Sequence, residues 1–282
     1  MSELPRNTPS KQPWRTVVLD ELHDPTALTV SLWWLGNGGF AINWMGRVIF
    51  IDPLIEPKND ANPMASEIDL PLRGPLPLRA RQVKRADLVL LSHDHSDHMG
   101  PRTTPELIAR TDALFVGTER SVRTLREHGL GTARLRTARY GEPIEVGDMT
   151  IIPTVARHAE PESPAFPGKG LRGECCGFIL RAGCLTLWHP CDTDLLEEHL
   201  EVTDIDALIL PIAPHNLGTE GSVRLAASTG ARHLIPCHYG TFDSDLFWCV
   251  GDPEAVAAGI EDAQNRYHVL AIGEKFVVPG SA

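Results

Sequence analysis

The chain has 282 residues, 42% of them hydrophobic, so it can bury a substantial core as one large domain. Its 26 Lys and Arg are outnumbered by 37 Asp and Glu, and the net charge of −11 argues against generic attraction to nucleic acid or to an anionic membrane surface. Six cysteines without a paired spacing indicate reduced cytoplasmic thiols rather than a disulfide framework. We expect a polar, partly ordered extension over residues 1–26, a single domain over 27–282, and no insertion into a membrane.

The first predicted elements are three short apolar strands, at residues 27–35, 40–44 and 47–51. Met45-Gly46 between the second and third strands is a hairpin signal, so a β-meander opens the domain. Asp52 directly follows the third strand. It is either an ordinary turn residue or a carboxylate that orients a metal-binding histidine.

Residues 53–83 are rich in proline and show little periodicity, which predicts a long functional or crossover loop. A local run of basic residues lies in and just beyond this segment. It indicates either a solvated face or an anion-binding rim, and its members are Arg73, Arg79, Arg81, Lys84 and Arg85.

The densest chemical signal follows the apolar run Leu88–Leu91, which predicts a buried strand. The next residues include His93, His95, Asp97 and His98. Imidazole nitrogen and carboxylate oxygen are ligands for zinc, manganese and iron, and burying so many polar groups would be costly without a metal to satisfy them. A solvated polar loop is the alternative, but the spacing favours a metal site.

Further imidazoles and carboxylates follow later strands. The strand at Met149–Val155 leads to His158, after which a polar loop over 159–174 could cover the site. The hairpin at residues 177–188 leads to His189, a packed residue or one that holds a ligand in place. Asp192, three residues further on, is either a ligand or a helix cap.

Two more strands carry the remaining candidates. His215 follows Ala207–Pro211, and His238 and Tyr239 follow the strand at residues 234–236. A helix over 253–266 and strands at 269–272 and 276–278 complete the chain. The alternation of strands and helices predicts an α/β fold.

The chemistry of a hydrolytic metal site can be assigned from these residues. Bound cations lower the pKa of a water molecule and polarise a substrate oxygen. Asp97 is the candidate proton acceptor, because a carboxylate beside the attacking oxygen is its nearest base. His215 and Tyr239 are the candidates for stabilising the oxyanion, although His215 is equally well an exposed loop residue.

The order of motifs resembles the metallo-β-lactamase superfamily of metal-dependent hydrolases. The resemblance covers residues 28–279 and rests on His93-x-His95-x-Asp97-His98 followed by His158, Asp192 and His238. More narrowly, short stretches resemble the ascorbate-6-phosphate lactonase-like branch. They are Trp33-Trp34-Leu35-Gly36, residues 92–98, Ile235-Pro236-Cys237-His238 and Gly273-Glu274-Lys275-Phe276.

This resemblance implies a four-layer αββα sandwich with two mixed β-sheets and one or two divalent metal ions, Zn or Mn, with Fe as a further candidate. The ligands it implies are His93, His95 and His158 for one ion, Asp97, His98 and His238 for the second, and Asp192 as a bridge. Cys191 stands where the superfamily commonly has glycine.

The implied activity is hydrolysis of a small ester, lactone or related anionic substrate. Alternatives within the same fold are a phosphodiesterase, of nuclease or phospholipase D-like type, and a non-hydrolytic iron-dependent sulfur oxygenase. Redox-active diiron relatives tend to carry Glu where His95 stands, which favours hydrolysis. The expected partners are a small molecule and no nucleic acid, with a homo-oligomer as an option.

Overall fold

Two mixed β-sheets form the centre of the molecule. The computed structural model describes residues 13–158, 174–246 and 249–280. Its strands are, in chain order, β1 (Val30–Gly36), β2 (Gly39–Trp44), β3 (Arg47–Ile51), β4 (Pro57–Asn59), β5 (Asn62–Ser66), β6 (Leu88–Leu91), β7 (Leu114–Gly117), β8 (Leu135–Thr137), β9 (Ile144–Val146), β10 (Met149–Val155), β11 (Cys176–Ala182), β12 (Leu185–His189), β13 (Ala207–Pro211), β14 (His233–Cys237) and β15 (Lys275–Val278).

The first sheet has seven strands in the order β15-β1-β2-β3-β6-β7-β8, and the second has six in the order β14-β13-β12-β11-β10-β9. Strands β3, β6, β7 and β8 run parallel, as do β12, β13 and β14, while the remaining neighbours are antiparallel. Each sheet therefore has one group of strands whose carboxyl ends share an edge. The small hairpin β4-β5 lies outside both sheets.

Helices cover the outer faces of the sheets. They are α1 (Leu19–Leu22), α2 (Thr103–Arg110), α3 (Glu119–Glu127), α4 (Glu197–Leu200), α5 (Gly218–Thr229), α6 (Pro253–Gly259) and α7 (Ala263–Arg266). Helix α3 packs on β7 and β8 of the first sheet, and α5 packs on β13 of the second. In the described part of the chain, no helix has both the length and the hydrophobicity needed to cross a membrane.

Strand β1 shows why the central strands are apolar without a break. Leu32 and Trp34 belong to the cluster between the sheets, whereas Trp33 and Leu35 belong to the cluster under the outer helices. Successive side chains of a strand point to opposite faces, so a sheet covered on both faces needs apolar residues at every position. The helix, sheet, sheet, helix order is therefore the one expected.

Local chemistry sets the helix ends. The Thr118 side chain accepts a hydrogen bond from Ser121 N–H at the start of α3, and Asp252 caps α6 in the same way. Helix α5 ends at Gly230, whose φ of 60° is in the left-handed region that glycine adopts without strain.

Three sequence expectations need correction. The helix expected over 253–266 is two helices, α6 and α7, separated by Ile260, whose backbone is extended, and Asp262, whose φ is 54°. Residues 269–272 form no strand, and the segment 53–83, expected to be a loop, contains β4, β5 and a short 3-10 helix, Ala80–Gln82. Hydrophobic periodicity along the sequence does not reveal a break of a few residues in a helix or the pairing of strands of three to five residues.

The expected N-terminal extension packs on the domain where it is described. Arg15 N–H donates to Ile272 O at 2.7 Å, and Val17 N–H donates to Pro77 O at 2.9 Å. The division between 1–26 and 27–282 remains a prediction. The loop expected to cover the site, 159–174, lies outside the described residues except for Glu174.

Candidate metal centre

The candidate residues follow the carboxyl ends of strands from both sheets. Asp52 follows β3, and the segment from His93 to His98 follows β6, its parallel neighbour. In the second sheet β10 and β12 are both antiparallel to β11, so they run in one direction, and they lead to His158 and Asp192. Parallel carboxyl ends meet at one edge, which is why residues distant in sequence converge there.

His93, His95 and His158 form the first group. One ring nitrogen of each lies within 4.8 Å of the others. His93 Nε2 and His95 Nδ1 are 2.9 Å apart, and the ring centroids of His93 and His158 are 5.3 Å apart. His93 and His158 are buried, which leaves His95 as the more accessible member.

Asp97, His98 and His238 form the second group, again with ligand atoms within 4.8 Å of one another. Asp192 lies between the two groups. Its Oδ2 is 3.2 Å from His238 Nε2, 3.3 Å from His98 Nε2 and 3.8 Å from His158 Nε2. The structure thus brings together all seven residues for which metal binding was predicted.

Asp52 ties this arrangement to the first sheet. Its carboxylate accepts hydrogen bonds from Ser92 N–H at 2.8 Å and from the Ser92 hydroxyl, and it lies 2.8 Å from His98 Nδ1. Asp52 is completely buried. While Nδ1 contacts Asp52, Nε2 of His98 faces Asp97 and Asp192; that Asp52 orients a metal-binding histidine stays a prediction.

His189 packs behind the second group. Its Nε2 lies 2.9 Å from Gly38 O and its Nδ1 accepts from Cys191 N–H at 3.0 Å. Because Nδ1 accepts, Nε2 carries the proton and donates to Gly38. Burial lowers the pKa of His189 to about 4, in keeping with this neutral ring.

His215 and Tyr239 have different surroundings. His215 Nε2 is 3.6 Å from Asp192 Oδ2, and its ring packs edge-on against His158 and His238. Tyr239 stacks on Trp34 with a centroid distance of 5.0 Å, is 1% exposed, and its hydroxyl has no hydrogen-bond partner among the described residues. His215 therefore lies among the candidate ligands, while Tyr239 lies in the core.

Electrostatics favour the protonation states that a metal requires for some residues and oppose them for others. Burial lowers the pKa of His93 well below its usual value, and the neighbouring His98 and His95 lower it further. Burial would raise the pKa of Asp97, but the charge and the hydrogen bond of His98, together with the charge of His238, outweigh burial and the pKa is lowered. Burial would also lower the pKa of His98, yet the carboxylates of Asp192 and Asp97 raise it well above its usual value. A cation between these carboxylates would take over the role of that proton.

The donor set fits a divalent cation. Asp192 Oδ1 and His98 Nε2 are buried and have no hydrogen-bond partner among the described residues. Leaving buried polar atoms unsatisfied costs about 1–3 kcal/mol each, so such atoms call for a ligand. Imidazole and carboxylate suit zinc, manganese and iron, and nothing in the donor set selects one of them.

The comparisons with known proteins agree with this geometry. Residues 47–239 match the family described as "Beta-lactamase superfamily domain". The chain belongs to this superfamily. A metal-dependent hydrolase of Pyrobaculum aerophilum is 28% identical over 246 residues, 85% of this chain and 95% of the relative. A metal-dependent hydrolase of Pyrococcus furiosus is 27% identical over 218 residues, 76% of this chain and 86% of the relative.

A solved structure supports the fold independently. The structure of a metallo hydrolase from the archaeon Ignicoccus hospitalis matches with a TM-score of 0.69 and 23% identity. The match covers 90% of this chain and 100% of that chain. The expected superfamily and the metallo-β-lactamase fold are thus confirmed, as is the class of metal-dependent hydrolase that the relatives' names carry. The lactonase-like branch is not confirmed and stays a prediction.

The backbone is strained at one departure from the superfamily pattern. Cys191, which stands where glycine is common, has a φ of 56°. Asn37, Asp52 and His238, all beside the site, also have positive φ values, of 48°, 42° and 63°. Each such residue stores of order 1–2 kcal/mol of strain, which the packing around this metallo-β-lactamase site must hold in place.

The basic run near residues 73–85 does not form an open anion-binding rim. Arg79 pairs with the buried Glu56 at 2.6 Å, and Arg73 lies 3.4 Å from Asp243. Arg81 and Arg85 also lie within 3.5 Å of carboxylates. These four cations are matched by acidic partners, so the solvated face is the better interpretation.

Sequence reasoning missed Asn37 and Ser92. Asn37 is 2% exposed and its Nδ2 donates to Asp97 Oδ2 at 3.1 Å. It stands in the turn Gly36-Asn37-Gly38-Gly39, where asparagine is an ordinary turn residue. Only the tertiary structure, which packs this turn on Asp97, 60 positions away, shows that Asn37 contacts a candidate ligand.

Proposed function

We propose that the chain hydrolyses a small ester, lactone or related anionic molecule, using divalent cations held at this centre. The observation that carries the proposal is the position of Asp192 Oδ2, within 3.8 Å of imidazole nitrogens from both groups. His93, His95 and His158 would hold one ion, Asp97, His98 and His238 a second, and Asp192 both. Zinc and manganese are the proposed metals, with iron as a further candidate.

When bound, such cations lower the pKa of a water molecule towards neutrality and polarise the substrate oxygen. The residues of the chain would then manage the proton and the developing charge. Asp97 is the proposed proton acceptor. The Asn37 amide and His98 lie 3.1 Å and 3.4 Å from its Oδ2, which keeps the carboxylate oriented and ionised.

His215 is the proposed donor to the substrate oxyanion. Burial lowers its pKa, although its hydrogen bond with Asp192 opposes the shift. If Asp192 bound a cation instead of this imidazole, the single N–H of a neutral His215 would be free to donate to an oxygen on which negative charge develops. Tyr239 was the other candidate. Its buried hydroxyl and its stacking on Trp34 make His215 the better supported of the two.

The decisive experiment is metal analysis of purified protein followed by assay on a panel of lactones and aryl esters. We expect up to two equivalents of divalent metal and turnover of at least one substrate. In His95→Ala the turnover and one of the two equivalents should be lost. The control is His233→Ala. His233 is also a histidine, but it lies at the end of β14 remote from the candidate ligand His238, and it pairs with His268.

Unchanged activity in His95→Ala would refute the assignment. Turnover of bis-p-nitrophenyl phosphate without lactone or ester hydrolysis would favour a phosphodiesterase. Oxygen consumption with a persulfide would instead favour an iron-dependent sulfur oxygenase. A cytoplasmic location, expected from the cysteines, stays a prediction; all six are unpaired in the structure.

A further inference from the structure

The turn between β1 and β2 packs directly on the second group of candidate ligands. The main-chain N–H of Asn37 donates to Thr241 Oγ1 at 2.7 Å, and its carbonyl accepts from His238 N–H at 2.9 Å. The same carbonyl accepts from Trp34 Nε1 at 3.0 Å. These bonds join the first sheet to the segment that carries His238, although the two lie 201 residues apart in sequence, from 37 to 238.

The side chain of Asn37 reaches a second member of the group. Nδ2 lies 3.1 Å from Asp97 Oδ2 and 3.3 Å from Asp97 O. Both partners can only accept, so the amide nitrogen and not the amide oxygen must face them. A carboxylate oxygen has two lone pairs, so Oδ2 can accept this bond and still bind a cation.

Gly38 touches the third member. A Cβ atom at Gly38 would lie 2.8 Å from Cε1 of His98 and 3.9 Å from Cδ2 of His238. The His98 ring is held at Nδ1 by Asp52 and is completely buried. Any side chain at position 38 would therefore displace the ring.

We propose that Asn37 and Gly38 are positioning residues for the metal site formed by Asp97, His98 and His238. The inference rests on the proposed function and goes beyond it, because it assigns control of one of the two cation sites to a turn that contributes no ligand. Asn37 sets the orientation of the Asp97 carboxylate and the main-chain position of His238, and Gly38 sets the ring position of His98. Loss of a hydrogen bond to a metal ligand typically weakens metal binding 10- to 100-fold.

The test is titration of chelator-treated protein with Zn²⁺ in competition with a fluorescent chelator, which resolves the two affinities. In Asn37→Gly the amide is removed, while the φ of 48° is accommodated without strain. We expect one Zn²⁺ affinity to fall about 10- to 100-fold and the other to stay unchanged. Gly38→Ala, a second and independent variant, is expected to weaken the same site.

A matched control is Asn43→Gly. Asn43 is as buried as Asn37, at 1%, but its amide donates to carbonyls of Glu21, Leu22 and Asp24, away from the metal centre. We expect this variant to lose stability and to keep both Zn²⁺ affinities. The comparison separates a general effect of removing a buried amide from an effect on the metal site.

Double variants assign the affected site. In His95→Ala the remaining Zn²⁺ site is the second group, so adding Asn37→Gly should weaken it. In His238→Ala the remaining site is the first group, so adding Asn37→Gly should leave it unchanged. The inference would be overturned if Asn37→Gly weakened Zn²⁺ binding equally in the His95→Ala and His238→Ala backgrounds, or if the single variant Asn37→Gly kept both Zn²⁺ affinities. Either result would leave the proposed function standing. Absence of Zn²⁺ binding by the wild-type protein would refute the proposed function itself.

Discussion

At the scale of single residues, Asp52 supports His98, one of the candidate metal ligands. It accepts from Ser92 N–H and lies against His98 Nδ1, both at 2.8 Å. Nδ1–H donates to this carboxylate, so Nε2 is the nitrogen that faces Asp192 at 3.3 Å, where a cation would replace its proton and bind its lone pair. The tautomer of His98 is thus decided by Asp52.

Asp52→Asn should weaken metal binding about 10- to 100-fold while preserving the fold. The amide has the same shape, but it can present N–H to Nδ1 and so favours the tautomer whose Nε2 carries the proton and cannot bind a cation. Zn²⁺ titration of the variant measures the effect. Asp87→Asn is the control, since Asp87 accepts from Val48 N–H at 2.7 Å at the start of β3, the end remote from Asp52. Equal Zn²⁺ affinities in wild type and Asp52→Asn would contradict the role given to Asp52.

At the scale of elements, the hairpin β4-β5 is tied to the start of α2 by Glu67. One carboxylate oxygen accepts from Arg102 N–H at 2.6 Å and Thr103 N–H at 2.8 Å, and the other accepts from the Thr103 hydroxyl. A Cβ at Gly100 would lie 2.6 Å from this carboxylate, so a side chain there would displace it from these hydrogen bonds. Glu67 therefore fixes the chain that follows His98.

Glu67→Gln should destabilise the protein by about 1–3 kcal/mol, because an amide cannot accept all of these hydrogen bonds. Burial raises the folded-state pKa of Glu67 above its usual value of 4.5, against the opposing hydrogen bonds. When the pKa of a group is higher in the folded than in the unfolded protein, protonation of that group stabilises the fold. This stabilisation is complete below the unfolded-state pKa and is lost as pH rises through the folded-state pKa. The destabilisation of the variant should therefore be larger near pH 5 than near pH 8, as measured by urea denaturation.

Glu106→Gln is the control for this effect, because Glu106 lies on α2, the helix that Glu67 contacts, but its side chain is 43% exposed. Its free energy of unfolding should change little at either pH. A Glu67→Gln penalty that is identical at both pH values would show that ionisation of Glu67 is not linked to folding.

At the scale of the whole molecule, the candidate metal centre joins the two sheets. Asp97 and His98 come from the first sheet, and Asp192 and His238 from the second, and their nitrogens and oxygens meet within 3.4 Å. Several buried ionisable groups of both signs are thereby concentrated at one edge. A bound cation would stabilise the folded chain and not the unfolded one.

Zn²⁺ should therefore raise the melting temperature of chelator-treated protein. At a free concentration 100 times the dissociation constant, the stabilisation is about 2.7 kcal/mol. For a domain of this size that corresponds to a shift of about 5–10 °C. Differential scanning fluorimetry measures it, with a His95→Ala, His238→Ala double variant as the control. A shift of equal size in that variant would mean that Zn²⁺ acts elsewhere.

Much of the site could be predicted from the sequence, because each ligand follows an apolar strand within a few residues. Local spacing marked His93, His95, Asp97 and His98, and strand ends marked His158, Asp192 and His238. Short elements were less predictable. The break between α6 and α7 depends on Asp262, whose left-handed conformation no periodicity indicates.

The sequence by itself determined the residue types of the candidate ligands, and its motifs resembled a known family, which implied the superfamily and the layer order. These predictions depend on residue identity and on the order of motifs along the chain. Only the tertiary structure decided which groups support the ligands. Asn37 meets Asp97 across 60 positions and Thr241 across 204, and Asp52 meets His98 across 46. Such contacts depend on how two sheets and a turn pack together, and a hydrogen bond of that kind leaves no periodic mark on the chain.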